Sequence, residues 1–147
     1  MFKDKSLGYI LHKAAMFSKC NFSNLLSNEG LTPSQFRVIK DIYICSKEQS
    51  NSLLTPACIA KRLHKDRPTI SGIIERLESQ GWIERIKNPE DKRSCIIILS
   101  QKAKSQIPKL EKLSIENDND LVEGFSEEEI ALFRKFLLKV IYNLSKK

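Results

Sequence analysis

Glycine is scarce in this chain: five in 147 residues, scattered at positions 8, 30, 72, 81 and 124. No Gly-rich loop for a phosphate or dinucleotide can be assembled from them. There are only two histidines, His12 and His64, and no H-E-x-x-H, so the helical zinc-hydrolase pattern is absent. No nucleophile has a recognisable base beside it, which leaves enzymes a poor class for this sequence and calls for neither cofactor nor metal. The four cysteines (Cys20, Cys45, Cys58, Cys95) form no C-x-x-C pair and read as free thiols of a reducing compartment. No apolar run approaches the roughly 20 residues of a membrane span, and His12 and Lys13 interrupt any signal-peptide core near the start. The expectation is a cytoplasmic protein with no membrane partner. Linkers, repeats and low-complexity tracts are missing too, so residues 1–147 read as one domain.

What is present in excess is positive charge. The formal net charge is +7, and a basic protein of this size favours a polyanionic partner.

Apolar residues then set out a chain of helices. Leu7, Ile10, Leu11, Ala14 and Phe17 recur at helical spacing between Leu7 and Leu26. Gly30 breaks the run, and "LTPSQF" opens a second helix with Thr32 as N-cap and Pro33 at the first helical position. Its stripe is Phe36, Ile39, Ile42 and Tyr43, and the polar stretch "SKEQSNS" ends it near Ser46. Thr55 and Pro56 repeat the opening signal for a short third helix. "HKD" turns the chain, Asp66 caps a fourth helix, and Ile70, Ile73, Ile74 and Leu77 mark its buried face. Gly81 stops it. Ser100 caps a long helix running towards Gly124, with a bend expected at Pro108. Ser126 and Glu129 form a capping box for the last helix, and Phe125 with Ile130 supplies a hydrophobic staple. The last stripe (Ile130, Phe133, Leu137, Val140, Ile141, Leu144) is broader than a surface helix needs.

Between the fourth and fifth helices, "WIERIK" and "SCIIIL" read as two strands around "NPEDKR". By itself, a hairpin that holds Asp91, Lys92 and Arg93 out in water is a solvated turn guarding a sheet edge. Behind a short helix, a tight turn and a second helix, it is the wing of a helix-turn-helix.

"LTPSQFRVI", "LTPACIAKRLHKDRPTISGIIERLESQGWIERIKNPEDKRSCIIILS" and "SEEEIALFRKFLLKVI" together resemble the MarR family of bacterial transcription factors, in order and over nearly the whole chain. The resemblance implies a mostly α winged helix-turn-helix. Residues 32–99 form the DNA-binding lobe, and helices within 1–28 and 100–147 interlock two chains into a homodimer. It implies a regulator of transcription, usually a repressor, that binds a pseudo-palindromic operator in double-stranded DNA. Release would come from a small aromatic or lipophilic effector, an oxidant or occasionally a metal. A winged helix used only for protein contacts is the alternative.

The resemblance also assigns roles to residues. Asp66, Arg67, Pro68, Thr69, Ser71, Gly72 and Arg76 belong to the recognition helix, whose first turns meet base edges and phosphates. Arg76 is either a guanine contact or a solvated side chain. Gly72 costs about 1 kcal/mol of helix propensity relative to Ala and suggests close approach of another surface. Lys61, Arg62 and Lys65 are placed for phosphates. In the wing, Arg93 would enter a narrow minor groove, Asp91 would hold its guanidinium in line, and Lys87 and Lys92 would flank it. His12, Met16 and Cys20 share one face of the first helix at i, i+4, i+8 and form a candidate effector or redox face. Met and Cys there otherwise read as inner-face packing. Cys58 and Cys95 share the lobe and could cross-link.

Overall fold

The computed structural model describes residues 2–48 and 51–146, the side chains of Asn51 and Ser52 excepted. Six helices and one hairpin follow in the order α1 (Leu7–Leu26), α2 (Pro33–Ser46), α3 (Pro56–Arg62), α4 (Arg67–Ser79), β1 (Ile83–Lys87), β2 (Cys95–Leu99), α5 (Gln101–Leu121) and α6 (Glu127–Ser145). Each helix starts where a short polar side chain can take up an orphan backbone N–H. Ser6 accepts from the Tyr9 N–H, Thr55 from Cys58, Asp66 from Thr69 and Ser100 from Ala103. Thr32 with Gln35, and Ser126 with Glu129, close full capping boxes. Two short 3-10 turns, Ser27–Glu29 and Asn51–Leu54, were not legible as helical patterns. Gln49 and Ser50, in the polar stretch after α2, lie outside the described residues.

The core centres on α2, α3, α4 and β2. Ile39, Ile42, Ile59, Ile74, Leu77, Ile96 and Ile97 are fully buried. It extends past the lobe at both ends: Phe22 and Leu26 of α1 and Ala103, Ile107 and Leu110 of α5 belong to the same cluster. Phe22 meets Phe36 edge-on at 4.9 Å, a favoured aromatic geometry that ties α1 to α2. Ion pairs Lys40–Glu111 and Lys109–Glu29 fasten α5 to α2 and to the turn after α1.

Several expectations shift in detail. Tyr43 is only half-buried, while Val38 and Cys45 of α2 are buried. The helix is covered on two sides, by α1 and by the α3–α4 pair, so its buried arc is wider than one stripe. α5 continues as helix through Pro108. Phe125 stacks edge-on against Phe133 at 5.9 Å, one turn beyond its expected staple partner Ile130.

The sheet is a two-stranded antiparallel ribbon with Ile83 opposite Leu99 and Lys87 opposite Cys95. Gly81, at φ +76°, makes the sharp entry into β1 that a side-chain-bearing residue would resist. The base of the wing is then laced to α5. The Ser100 hydroxyl donates to the Gly81 carbonyl (2.7 Å), Ser100 N–H donates to the Trp82 carbonyl (3.0 Å), and the Lys102 ammonium lies 4.7 Å over the Trp82 ring. The hairpin therefore leaves the core at a set angle.

No residue of α6 is buried. Phe136, Leu138, Ile141, Tyr142 and Leu144 are all more than half exposed, and so are Leu7 and Phe17 of α1. Among the described residues nothing buries these apolar side chains.

Candidate nucleic-acid interface

The start of α4 is built by Asp66. One carboxylate oxygen accepts the Thr69 N–H and the other accepts the Thr69 hydroxyl, both at 2.8 Å. Those two hydrogen bonds, the backbone one foremost, hold the Asp66 carboxyl below its ordinary range. Asp66 is thereby committed to capping, and Thr69 spends its proton on the cap. Burial of Ile70, Ile73, Ile74 and Leu77 rotates the opposite face of α4 outward, leaving Arg67, Pro68, Ser71, Glu75 and Arg76 exposed.

Arg67 and Ser71 of α4 and Asp91 and Arg93 of the wing face each other across one open cleft of about 420 Å³. Thr55, Pro56 and Ala57 of the α3 start, with Asn88, Ser94 and Cys95, complete its walls. Two sets of residues picked out separately in the sequence thus line a single concave surface. Among the described residues, no group of three or more His, Cys, Asp or Glu side chains could hold a metal ion.

The wing tip is more ordered than a solvated turn requires. Asn88 is buried; its amide donates to the Ser94 hydroxyl (2.8 Å), and its carbonyl oxygen accepts the Glu90 N–H (3.0 Å). Asp91 accepts the Arg93 backbone N–H at 2.9 Å, and its own carbonyl accepts from Ser94 N–H. This corrects the expected brace: Asp91 sets the backbone beneath Arg93 through an Asx turn and forms no ion pair with its guanidinium. A carboxylate two residues away reaches the local N–H far more easily than the end of a long side chain. Lys87, Lys92 and Arg93 remain exposed around it.

Arg62 also departs from its expected role. Its guanidinium grips Asp41 of α2 through Nε (2.9 Å) and Nη2 (2.7 Å), and this pairing raises its already high pKa. With its fork engaged and only 28% of its side chain exposed, Arg62 fixes α3 against α2 and is not a free phosphate ligand. Lys61 and Lys65 stay exposed, with no salt bridge among the described residues. Arg76 folds back along the helix, its Nε donating to the Gly72 carbonyl at 3.1 Å; a Cβ at Gly72 would meet only the Arg76 guanidinium at 3.6 Å, an ordinary contact, so packing within the chain does not require a glycine there.

On α1, His12, Met16 and Cys20 are all exposed and turned away from the buried Phe22 and Leu26. Within the single chain the core packs on the opposite side of the helix, so these three side chains are not packed against it. All four cysteines are free, Cys58 and Cys95 included, and burial pushes the Cys45 thiol up.

Sequence reasoning passed over Asn88, Ser94 and Thr55 in the cleft. "N-P" marked a turn, but nothing local shows that the Asn88 side chain laces it.

Comparison with known proteins adds an independent view. Residues 31–95 match the model of the MarR family. The chain is 25% identical over 136 residues to the multiple antibiotic resistance protein MarR of Escherichia coli, covering 92% of this chain and 90% of that protein. It is 26% identical over 144 residues to the uncharacterized HTH-type transcriptional regulator YsmB of Bacillus subtilis, covering 98% and 92%. Among solved structures, a cysteine-to-serine mutant of MarR from E. coli complexed with operator DNA superposes with a TM-score of 0.80 at 26% identity, covering 91% of this chain and 92% of that one.

Proposed function

The chain belongs to the MarR family, and on that premise we propose that it is a transcriptional regulator that binds double-stranded DNA sequence-specifically as a two-fold dimer. α4 enters the major groove with Arg67, Ser71 and Arg76 presented to base edges and phosphates. The hairpin carries Arg93 into the adjoining minor groove, where a narrow A·T tract concentrates negative potential. Lys61, Lys65, Lys87 and Lys92 meet phosphates and supply the salt-dependent part of the affinity. The observation that carries this reading is the cleft in which Arg67 and Arg93 face one another, because it sets helix and wing to grip one duplex together. The operator complex of a relative that superposes over nine-tenths of the chain supports the same use of the surface.

The dimer follows from α6. A groove of about 480 Å³ between α5 and α6, lined by Phe133, Leu137, Leu138 and Ile141, stands open in the single chain. Continuous apolar surface of this kind is rarely left in water, and the same helices of a second copy would cover it. Release from DNA by a small aromatic or lipophilic effector, and a repressor's mode of action, are carried over from the resemblance.

The test is selection of bound duplexes from a random pool, with the protein's mass followed by light scattering. The recovered sites should be pseudo-palindromes with half-site centres about one helical turn apart. A stable monomer at micromolar concentration, or no binding to any duplex at low salt, would overturn the reading.

A further inference from the structure

We propose that Asn88 and Ser94 are positioning residues for DNA binding: their side chains clamp the wing tip, so that Arg93 meets the minor groove already in place. The inference rests on the DNA-binding reading above and adds to it two residues that act through Arg93.

β1 and β2 pair as far as Lys87 and Cys95, and Asn88 and Ser94 stand one step beyond that last pair. There the Asn88 amide donates to the Ser94 hydroxyl at 2.8 Å, so a side-chain bond continues the ladder where backbone pairing has ended. The same hydroxyl donates to the Asp91 carbonyl (3.3 Å), which also accepts the Ser94 N–H (3.1 Å). The Asn88 carbonyl oxygen accepts the Glu90 N–H (3.0 Å), and the Asp91 carboxylate accepts the Arg93 N–H (2.9 Å). Pro89 fixes its own φ. The backbone is thus tied down on both sides of Arg93.

An Asx turn uses the Asn88 carbonyl oxygen alone; the reach of its amide across the hairpin to Ser94 goes beyond what a turn requires. Asn88 is 8% exposed, while every residue from Pro89 to Arg93 is exposed. Burial of a polar side chain costs free energy unless its groups are hydrogen-bonded, and both ends of this one are. A solvated tip guarding a sheet edge calls for neither the burial nor the cross-hairpin bond. Asn88 and Ser94 also wall the cleft that holds Arg67 and Arg93, so the clamp sits where wing and α4 face each other. A tip ordered before binding loses less conformational freedom on the duplex, and the gain appears as affinity delivered through Arg93.

The test is a double-mutant cycle on one duplex selected from a random pool by wild type, with affinity read by fluorescence anisotropy well below the unfolding temperature of each variant. Asn88→Ala and Ser94→Ala should each weaken binding by about 5- to 20-fold, and by no more than Arg93→Ala does. Ser94→Thr, which keeps the hydroxyl, should stay within about 2-fold of wild type. In an Arg93→Ala background the two alanine changes should add less than about 2-fold, because the residue they act through is gone. In the free protein, Asn88→Ala should lower the backbone amide order parameters of residues 90–93 and leave those of α4 unchanged. Should Asn88→Ala fail to fold, the Ser94 variants alone decide. Equal losses in both backgrounds would make the pair a general support of the lobe and overturn the proposal, as would alanine variants that bind like wild type. Failure of wild type to bind any duplex at low salt overturns the DNA-binding reading, and the positioning role with it.

Discussion

The winged lobe and the terminal helices spend the same kind of sequence in opposite ways. In α4, Ile70 and Ile74 are 1% exposed, whereas in α6 Ile141 and Leu144 are 62% and 63% exposed. Both helices carry an apolar stripe at helical spacing. The lobe closes over its stripe with α2, α3 and β2, so its core is complete in one chain. α6 and the start of α1 leave much of theirs uncovered among the described residues. An amphipathic pattern therefore establishes that a face exists and leaves open what will cover it.

The largest effect that tests this contrast is in the lobe. Leu77→Ala should cost about 2–5 kcal/mol of unfolding free energy, since a fully buried leucine leaves a cavity. Ile141→Ala should leave the lobe's own stability within about 0.5 kcal/mol while weakening self-association. Denaturant titration at several protein concentrations separates the two. Equal losses from both changes, independent of concentration, would show that α6 is held within its own chain.

Next comes the wing. Arg93→Ala should weaken operator binding by about 1–3 kcal/mol, most at sites with a narrow A·T-rich minor groove, while Lys61→Ala and Lys65→Ala weaken all duplexes alike. A uniform loss for Arg93→Ala would make it one more phosphate contact.

A smaller change distinguishes the two ways Asp91 could support Arg93. Asp91→Ala removes the acceptor of the Arg93 N–H and should weaken binding by about 0.5–1.5 kcal/mol. Asp91→Asn keeps an acceptor oxygen and loses a negative charge near DNA, so it should bind as well as wild type or better. Equal weakening by both would restore a charge-based brace on the guanidinium.

The smallest effect concerns pH and the cap of α4. Asp66 has its carboxyl held below the ordinary range in the folded chain, so its contribution is present above about pH 4 and fades as pH falls through the lower folded value. Asp66→Asn should flatten that part of the acid limb in thermal unfolding followed from pH 5 to pH 2. An unchanged acid limb would mean the cap survives protonation.

Residues acting within a few positions of one another were legible from the sequence alone. Thr32, Thr55, Asp66, Ser100 and Ser126 cap the helices they announced. Ile70, Ile73, Ile74 and Leu77 bury the face their spacing predicted, and the strands flank "NPEDKR" as expected. Caps and stripes depend on spacings of three and four residues along one backbone, which the order of residues carries directly. What only the tertiary structure decided was the choice among distant partners. Arg62 is claimed by Asp41, 21 positions away, and so leaves the phosphate set. Asn21 of α1 donates to Asn117 and Asp120 of α5, nearly a hundred residues on. Arg67 and Arg93 become one site because α4 and the wing are anchored to a common core and to α5. Such pairings rest on hydrogen bonds that need donor and acceptor within roughly 2.7–3.2 Å and well aligned, and that geometry is set by how whole elements pack, which no short stretch of the chain encodes.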